Sequence, residues 1–408
     1  MAFPLTEEQQ KIVRDRGGEL LVSAAAGSGK TRVLVERLLD RVEREGLDID
    51  QFLVITYTKA AAAELRTRIA QELADRLAER PNDRHLRRQT TLVYQAQIST
   101  IHAFCAALLR ESGHLLDLDP DFRLCDEGEA QVLMARTLEE VLDRRYEDLP
   151  PDSPFVQLVD TLAAGRDDSR LAQITLDIFS RVQSHPDPEQ WLLAQKELWR
   201  LDGIQDMGRT CWGALLLEDA RRQARWCLTR LETACTLAGG DELLEANYLP
   251  SLEESVSALR ALVCAETWDQ AAACVPIPFP AAGRKKKRAQ ELSPMEEEAA
   301  LLSTERVKAI RSRCKKRLEK TAQLLEGDSA ALGEELSLSA PAVQALMDLV
   351  KDFQRAYQLE KRRRSLLDFS DLEHCAVKLL LDEKGEPTPL ADHWSQRLAE
   401  VLVDEYQD

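Results

Sequence analysis

The sequence predicts an α/β fold: a parallel sheet built around a phosphate-binding loop and interrupted by a large, mostly α-helical insertion. Three observations predict it. Near the start, the apolar run Leu20-Leu21-Val22-Ser23 leads into Ala24-Ala25-Ala26-Gly27-Ser28-Gly29-Lys30-Thr31 and then into a helical stretch. At the end, Val401-Leu402-Val403 runs into Asp404-Glu405-Tyr406-Gln407-Asp408. Between them, from about Leu124 to Ser365, helical spacing dominates and strand signals are weak.

Composition bounds the function. With 408 residues, 44% hydrophobic and 31% charged, the chain is long enough for two or three domains with a large core. No run of 18 apolar residues occurs, and MAFPLTEEQQ lacks a basic, apolar leader. Nine scattered cysteines include no C-x-x-C pair, which argues against a zinc or iron–sulfur site and for reduced thiols. The expectation is a cytoplasmic protein without a membrane partner. A net charge of −17 has the wrong sign for a protein that coats nucleic acid, although screening leaves room for a local basic track.

The first element is the strand expected at Leu20–Ser23, followed by the glycine loop and the helix beginning Lys30-Thr31-Arg32. Gly27 and Gly29 let backbone N–H groups turn toward a phosphate, and the helix N-terminus adds partial positive charge. Lys30 reaches the β- and γ-phosphates of a nucleotide, and the Thr31 hydroxyl holds Mg2+. Ala24 stands where the generic pattern has its first glycine. Such a loop needs a second strand ending in an acid. Val401-Leu402-Val403 fits a buried parallel strand, Asp404 holds Mg2+ directly or through water, and Glu405 orients and deprotonates the attacking water. The acidic end thus reads as a catalytic strand, in a chain expected to be the front part of a longer protein. Whether it naturally ends at Asp408 stays open.

Between these motifs, Phe52 to Thr56 reads as a strand that presents Tyr57 to a base, with Thr58 and Lys59 beside it for phosphates. Arg66 and Arg68 follow on a helix. Ser99, Thr100 and His102 offer hydroxyls and an imidazole at another strand end. Taken alone, Tyr57 reads equally as an ordinary aromatic, and His102 as a packed histidine. In the middle region, breaks fall at Leu149–Pro154, Ser184–Pro188 and Pro276–Gly283, the last running into Arg284-Lys285-Lys286-Lys287-Arg288. That basic run is either a solvated loop or a DNA-backbone contact. Leu366-Leu367-Asp368-Phe369-Ser370-Asp371-Leu372 then reads as a helix start, with Asp368 or Ser370 as cap.

Five blocks resemble the UvrD-like superfamily 1A helicases, and among them the AddA helicase–nuclease subunits. Leu5-Thr6-Glu7-Glu8-Gln9 resembles the Q motif, with Gln9 as adenine reader. Ala24–Thr31 resembles motif I, Ile55–Arg66 motif Ia, Gln97–Cys105 motif Ib and Asp404–Asp408 motif II, while Asp368–Leu372 resembles the block that re-enters the first motor domain. The resemblance implies a RecA-like motor domain 1A over 1–123, a 1B-like helical insertion over 124–365, and a return to 1A over 366–408. It implies a nucleotide site of Gln9, Ala24 to Arg32, Asp404 and Glu405, with Gln407 coupling the γ-phosphate to DNA contacts at Tyr57, Thr58, Lys59, Thr100 and His102.

The implied activity is ATP- and Mg2+-dependent 3′→5′ helicase action on single strands and duplex ends. The implied setting is double-strand break repair by homologous recombination, with an AddB-like partner subunit in a heterodimer. An exonuclease of open polarity belongs to the whole protein. A second motor domain with its arginine finger and a nuclease domain lie outside these 408 residues. On that reading the chain alone binds ATP weakly and hydrolyses it negligibly, since a missing arginine finger costs on the order of 10³–10⁵ in rate. The rivals are a P-loop kinase or metabolic ATPase, a UvrD- or RecB-type helicase without the AddB partner, and a non-catalytic DNA-binding module.

Overall fold

The computed structural model describes residues 4–25, 27–147, 149–162, 169–201, 203–285 and 293–407. Ala26, Asp408 and Lys286, Lys287 and Arg288 of the basic run lie outside the described residues. The chain divides into two compact units. One holds Met1–Arg144, Phe179–Pro188 and Asp352–Asp408, and the other Arg145–Ile178 and Glu189–Lys351.

α1 (Glu7–Arg14) starts at a capping box in which the Thr6 hydroxyl accepts the Gln9 N–H and the Gln9 side chain accepts the Thr6 N–H. α2 (Lys30–Glu45) buries Val35, Leu38, Leu39 and Val42, an apolar face at helical spacing. β1 (Phe52–Thr56) is buried along its whole length. Thr58 then caps α3 (Lys59–Glu79), which buries Leu65, Ile69 and Leu73 one turn apart. α4 (Arg84–Leu92), β2 (Gln97–Thr100) and α5 (Ile101–Ser112) follow, α5 being capped by Thr100. The chain leaves through β3 (Arg123–Leu124) and α6 (Glu127–Glu147).

The next elements are helical: α7 (Pro154–Leu162), α8 (Ser169–Val182), α9 (Pro188–Glu197), α10 (Cys211–Gly239), α11 (Glu242–Cys264), α12 (Trp268–Ala273), α13 (Pro294–Leu324) and α14 (Ser329–Arg363). Leu217, Ala220, Ala224, Cys227, Leu231, Ala234 and Ala238 on α10 alternate at three- and four-residue spacing. Such a seam keeps one face toward a partner helix, and its small residues let backbones approach closely. It packs with Leu252 and Leu259 of α11 and Val307, Cys314 and Leu318 of α13 into one core.

The chain returns through β4 (Leu366–Leu367), which pairs in parallel with β3, and continues as α15 (Phe369–Leu380), α16 (Pro389–Arg397) and β5 (Glu400–Val403). β1 is the central strand of a parallel sheet ordered β2-β1-β5, with Val54 opposite Ile98 and Leu402. α2, α3 and α4 cover it with the apolar core that includes Phe52, Val54, Ile69 and Leu402. A second cluster, with Leu108, Leu372 and Trp394, joins α5, α15 and α16.

Two strand expectations change. Leu20–Ser23 is not a strand: among the described residues it has no ladder neighbour, and Leu21 is 78% exposed. A strand exists through the bonds of its neighbours, and this segment has none. β5 does run parallel, but among the described residues it is an edge strand rather than a buried one. Only Leu402 enters the core, while Val401 and Val403, on the opposite face of the pleat, are 53% and 43% exposed.

Candidate nucleotide site and the surface beside it

The loop before α2 turns on two glycines. Gly27 and Gly29 sit at φ 76° and 89°, a region that only glycine enters without strain. A Cβ at Gly29 would also lie 3.5 Å from Gln9 Nε2. That amide donates to the Ser28 carbonyl at 3.1 Å, so the start of α1 is fastened to the loop. Lys30, the first residue of α2, donates from Nζ to the Ala24 carbonyl at 3.1 Å. Ala25 accepts from the Ser28 N–H at 3.2 Å, closing the turn, and Arg32 is half-buried on the first turn of α2.

The end of β5 meets this loop. The Asp404 N–H donates to the Ile55 carbonyl at 2.9 Å and carries the strand ladder one residue further. Asp404 Oδ2 accepts the Thr31 hydroxyl at 3.1 Å. Glu405 follows at φ 57°, a conformation that costs a side-chain-bearing residue energy. Its N–H donates to Asp404 Oδ1 at 3.2 Å, and its carboxylate accepts the Gln407 side-chain amide. Glu400 at the other end of β5 is gripped by two arginines of α2: Arg37 Nε at 2.7 Å and Arg41 Nη1 at 3.0 Å. Arg37 also donates to the Ile12 carbonyl of α1.

The residues proposed for DNA occupy the adjoining strand ends. Tyr57 follows β1 and is 66% exposed. Thr58 caps α3 by accepting the Ala61 N–H, and Lys59 beside it is exposed with no carboxylate within reach among the described residues. Thr100 is buried at the end of β2, where its hydroxyl accepts the Ala103 N–H. His102 lies one residue into α5, with Nε2 3.0 Å from Glu373 and its ring 4.8 Å from that of Phe369. The arginines of α3 do not share this surface. Arg66 donates to the Ala96 and Ile98 carbonyls and braces β2, and Arg68 pairs with Glu64 of its own helix.

Sequence reasoning passed over Phe369. It opens α15, is 52% exposed and sets its ring against that of His102 at an interplanar angle of 56°. Nothing in the pattern set it apart: Phe369 directly follows the N-cap and keeps the three- and four-residue apolar spacing of Leu372, Ala376 and Leu379, so it reads as a core residue. Behind it, Asp368 caps α15 in a reciprocal box with Asp371. Lys361, almost wholly buried, donates to both carboxylates at 2.6 Å and lies 4.2 Å from the centre of the Tyr357 ring. Burial opposes the Asp368 charge, but Lys361 outweighs it and holds that carboxyl below its ordinary value. Asp371, more deeply buried and beside the Asp368 charge, is pushed up.

A glycine loop at a helix N-terminus, a lysine and a hydroxyl on its first turn, and a facing strand-end carboxylate form an arrangement able to hold phosphates and a cation. The UvrD/REP helicase N-terminal domain matches residues 5–408, and the chain belongs to that family. It is 34% identical to the A subunit of the ATP-dependent helicase/nuclease of Acetivibrio thermocellus, over 99% of this chain and 32% of the relative. The proteins of the same name from Staphylococcus carnosus and Clostridioides difficile are 34% and 33% identical, again over 99% of this chain and 32% of each relative. The chain therefore spans about a third of the length of the curated relatives it matches. Among the described residues no helix is long and apolar enough to cross a membrane.

Proposed function

We propose that this chain is the nucleotide-binding half of a DNA helicase motor: a RecA-like domain 1A interrupted by a 1B-like insertion, within an ATP-dependent helicase–nuclease subunit. The observation that carries this reading is the 3.1 Å bond from the Thr31 hydroxyl to Asp404, which unites two motifs 373 residues apart. The donor set fits Mg2+ and ATP. Hydroxyl and carboxylate oxygens suit a small hard cation, and Lys30 has only a loop carbonyl to leave when a phosphate arrives.

Bound Mg-ATP supplies the phosphoryl group whose transfer to water drives the motor. This chain's residues then divide the work. Gln9 reads adenine beside the loop, the N–H groups from Gly27 to Lys30 and the Lys30 ammonium hold phosphates, and Thr31 and Asp404 hold the cation. Glu405 orients and deprotonates water. Gln407, already bonded to Glu405, ties that carboxylate to the γ-phosphate. Tyr57 and Phe369 offer faces to bases of a single strand, each such stack being worth about 1–3 kcal/mol. Thr58, Lys59, Thr100 and His102 line its backbone.

In the whole protein, closure of a second motor domain on this one gives 3′→5′ movement. A nuclease domain and an AddB-like subunit complete a cytoplasmic machine for double-strand break repair by recombination. Binding of a fluorescent ATP analogue to this chain tests the site: Mg2+-dependent binding that Lys30→Ala removes is expected. In a full-length protein containing this chain, single-stranded DNA is expected to stimulate ATP turnover. Turnover indifferent to DNA points to a P-loop kinase or metabolic ATPase. DNA affinity without nucleotide dependence points to a binding module.

A further inference from the structure

α1 is too short to hold itself. Its eight residues bury only Val13, whereas isolated helices shorter than about 12–15 residues are marginal in water. A helix also ends in carbonyls that have no partner inside it. In α1 these are taken one after another. The Lys11 carbonyl accepts the Asp15 N–H at 2.9 Å. The Ile12 carbonyl accepts Nη1 of Arg37 from α2 at 2.5 Å, and the Val13 carbonyl accepts Nη1 of Arg16 at 2.6 Å. Two guanidinium groups thus close the negative end of the helix dipole, where cations are favoured.

Both arginines are anchored outside α1. Arg37 is buried and donates from Nε to Glu400, at the start of β5, at 2.7 Å. Arg16 donates to Asp40 of α2 at 2.6 Å and to Glu45 at the end of the same helix. One turn before Ile12 stands Gln9, whose Nε2 donates to the Ser28 carbonyl of the phosphate loop at 3.1 Å. The short helix is therefore clamped at one end to the body of α2 and at the other to the loop from which α2 starts. A helix is stiff over one turn, so a shift at Ile12 is carried to Gln9.

We propose that Arg37 and Arg16 are positioning residues for adenine recognition: they fix α1 against α2 and so hold Gln9 beside the phosphate loop. The inference rests on the part given to Gln9 above. Neither arginine touches the loop, so each acts through α1. Charge balance does not explain Arg37, because Arg41 also holds Glu400, at 3.0 Å. What Arg37 adds is the bond to Ile12. Arg37 also shares a helix with Lys30 and Thr31, which puts the base reader and the phosphate-holding groups on one rigid frame. A site that reads a base by hydrogen bonds needs such a frame, since those bonds weaken steeply when misaligned.

The test is displacement of a ribose-labelled fluorescent ATP from a full-length protein containing this chain, in Mg2+, by ATP, inosine triphosphate and tripolyphosphate. The parent is expected to prefer ATP to inosine triphosphate by about tenfold, and Gln9→Ala to erase the preference. Arg37→Met is expected to bring the two nucleotides within about twofold of each other while tripolyphosphate affinity holds. Arg16→Met, at a more exposed position, is expected to act in the same direction, so the outcome does not hang on one buried substitution. Arg76→Met cuts a comparable clip, from α3 to Glu36 and Glu43 of α2, without touching α1, and is expected to keep the preference. A preference lost with Gln9→Ala but kept in both Arg37→Met and Arg16→Met overturns the proposal alone. Equal weakening of all three ligands, or a preference lost with Arg76→Met as well, reduces the arginines to general stability and also overturns it. A parent without the preference, or one whose preference survives Gln9→Ala, removes Gln9 as the reader and the proposal with it.

Discussion

At the scale of single residues, Glu405 is one of three non-glycine positions at positive φ among the described residues, with Asp117 and Ser365. It occupies left-handed backbone, which an unconstrained glutamate avoids, and its carboxylate is held by Gln407 two residues on. The strain aims the carboxylate beside Asp404 instead of letting it follow the pleat of β5. Glu405→Gln keeps the size and a hydrogen-bonding oxygen but removes the carboxylate proposed as the base. DNA-stimulated phosphate release by a full-length protein containing this chain is expected to fall by at least about 10²-fold, the usual worth of a positioned base, with ATP-analogue affinity retained. Equal loss of affinity and turnover refutes the role. The pairing of Thr31 with Asp404 was legible because each residue type demands the other: a loop hydroxyl on Mg2+ needs a carboxylate across from it. Arg66 was not legible, because a helical arginine after a DNA-facing motif looks the same whether it meets a phosphate or the carbonyls of Ala96 and Ile98.

At the scale of elements, the charges that set α15 in place lie out of sight. Lys361 stands in the run Lys361-Arg362-Arg363-Arg364, which reads as a solvated helix end, yet it alone turns inward to join Asp368 and Asp371. A local pattern cannot show this, since its partners arrive only after the strand β4 reverses the chain toward α15. Replacing Lys361 with Met strands two buried carboxylates and is expected to cost about 3–5 kcal/mol at neutral pH, read by urea unfolding. The pH response gives the sign. With the cation, Asp368 is held low, so its contribution is present above the unfolded carboxylate value and is lost as pH falls through the folded value. Without it, both carboxyls favour protonation, the folded state binds more protons than the unfolded one, and stability rises on acidification from pH 7 to pH 5. A Lys361→Met deficit that is the same at both pH values removes the buried-charge account. The edge position of β5 was hidden for a related reason. Val401-Leu402-Val403 is apolar throughout, and apolarity alone does not say how many neighbours a strand has.

At the scale of the whole molecule, each of the two compact units carries an apolar core among its described residues. One lies around β1, with Phe52 and Val54, and another runs along the α10 seam, with Ala224, Cys227 and Leu231. Every residue assigned to the nucleotide belongs to the unit of Met1–Arg144, Phe179–Pro188 and Asp352–Asp408. The phosphate loop, the acid strand and the Arg37–Glu400 grip between α2 and β5 are all built there. Ligand binding stabilises the structure that binds, by about 2.7 kcal/mol at a hundredfold excess over Kd. Mg-ATP is therefore expected to slow amide hydrogen exchange in peptides covering α1, α2 and β5, and to leave those from α10, α11 and α13 unchanged. Lys30→Ala should abolish the effect, and omitting Mg2+ should reduce it most at β5, where Asp404 is proposed to hold the cation. Protection spread equally over α10 and α13 contradicts a site confined to the first unit. Protection of α2 that ignores Mg2+ contradicts the part given to Thr31 and Asp404, because their hydrogen bond then holds the loop to the strand without any ion between them.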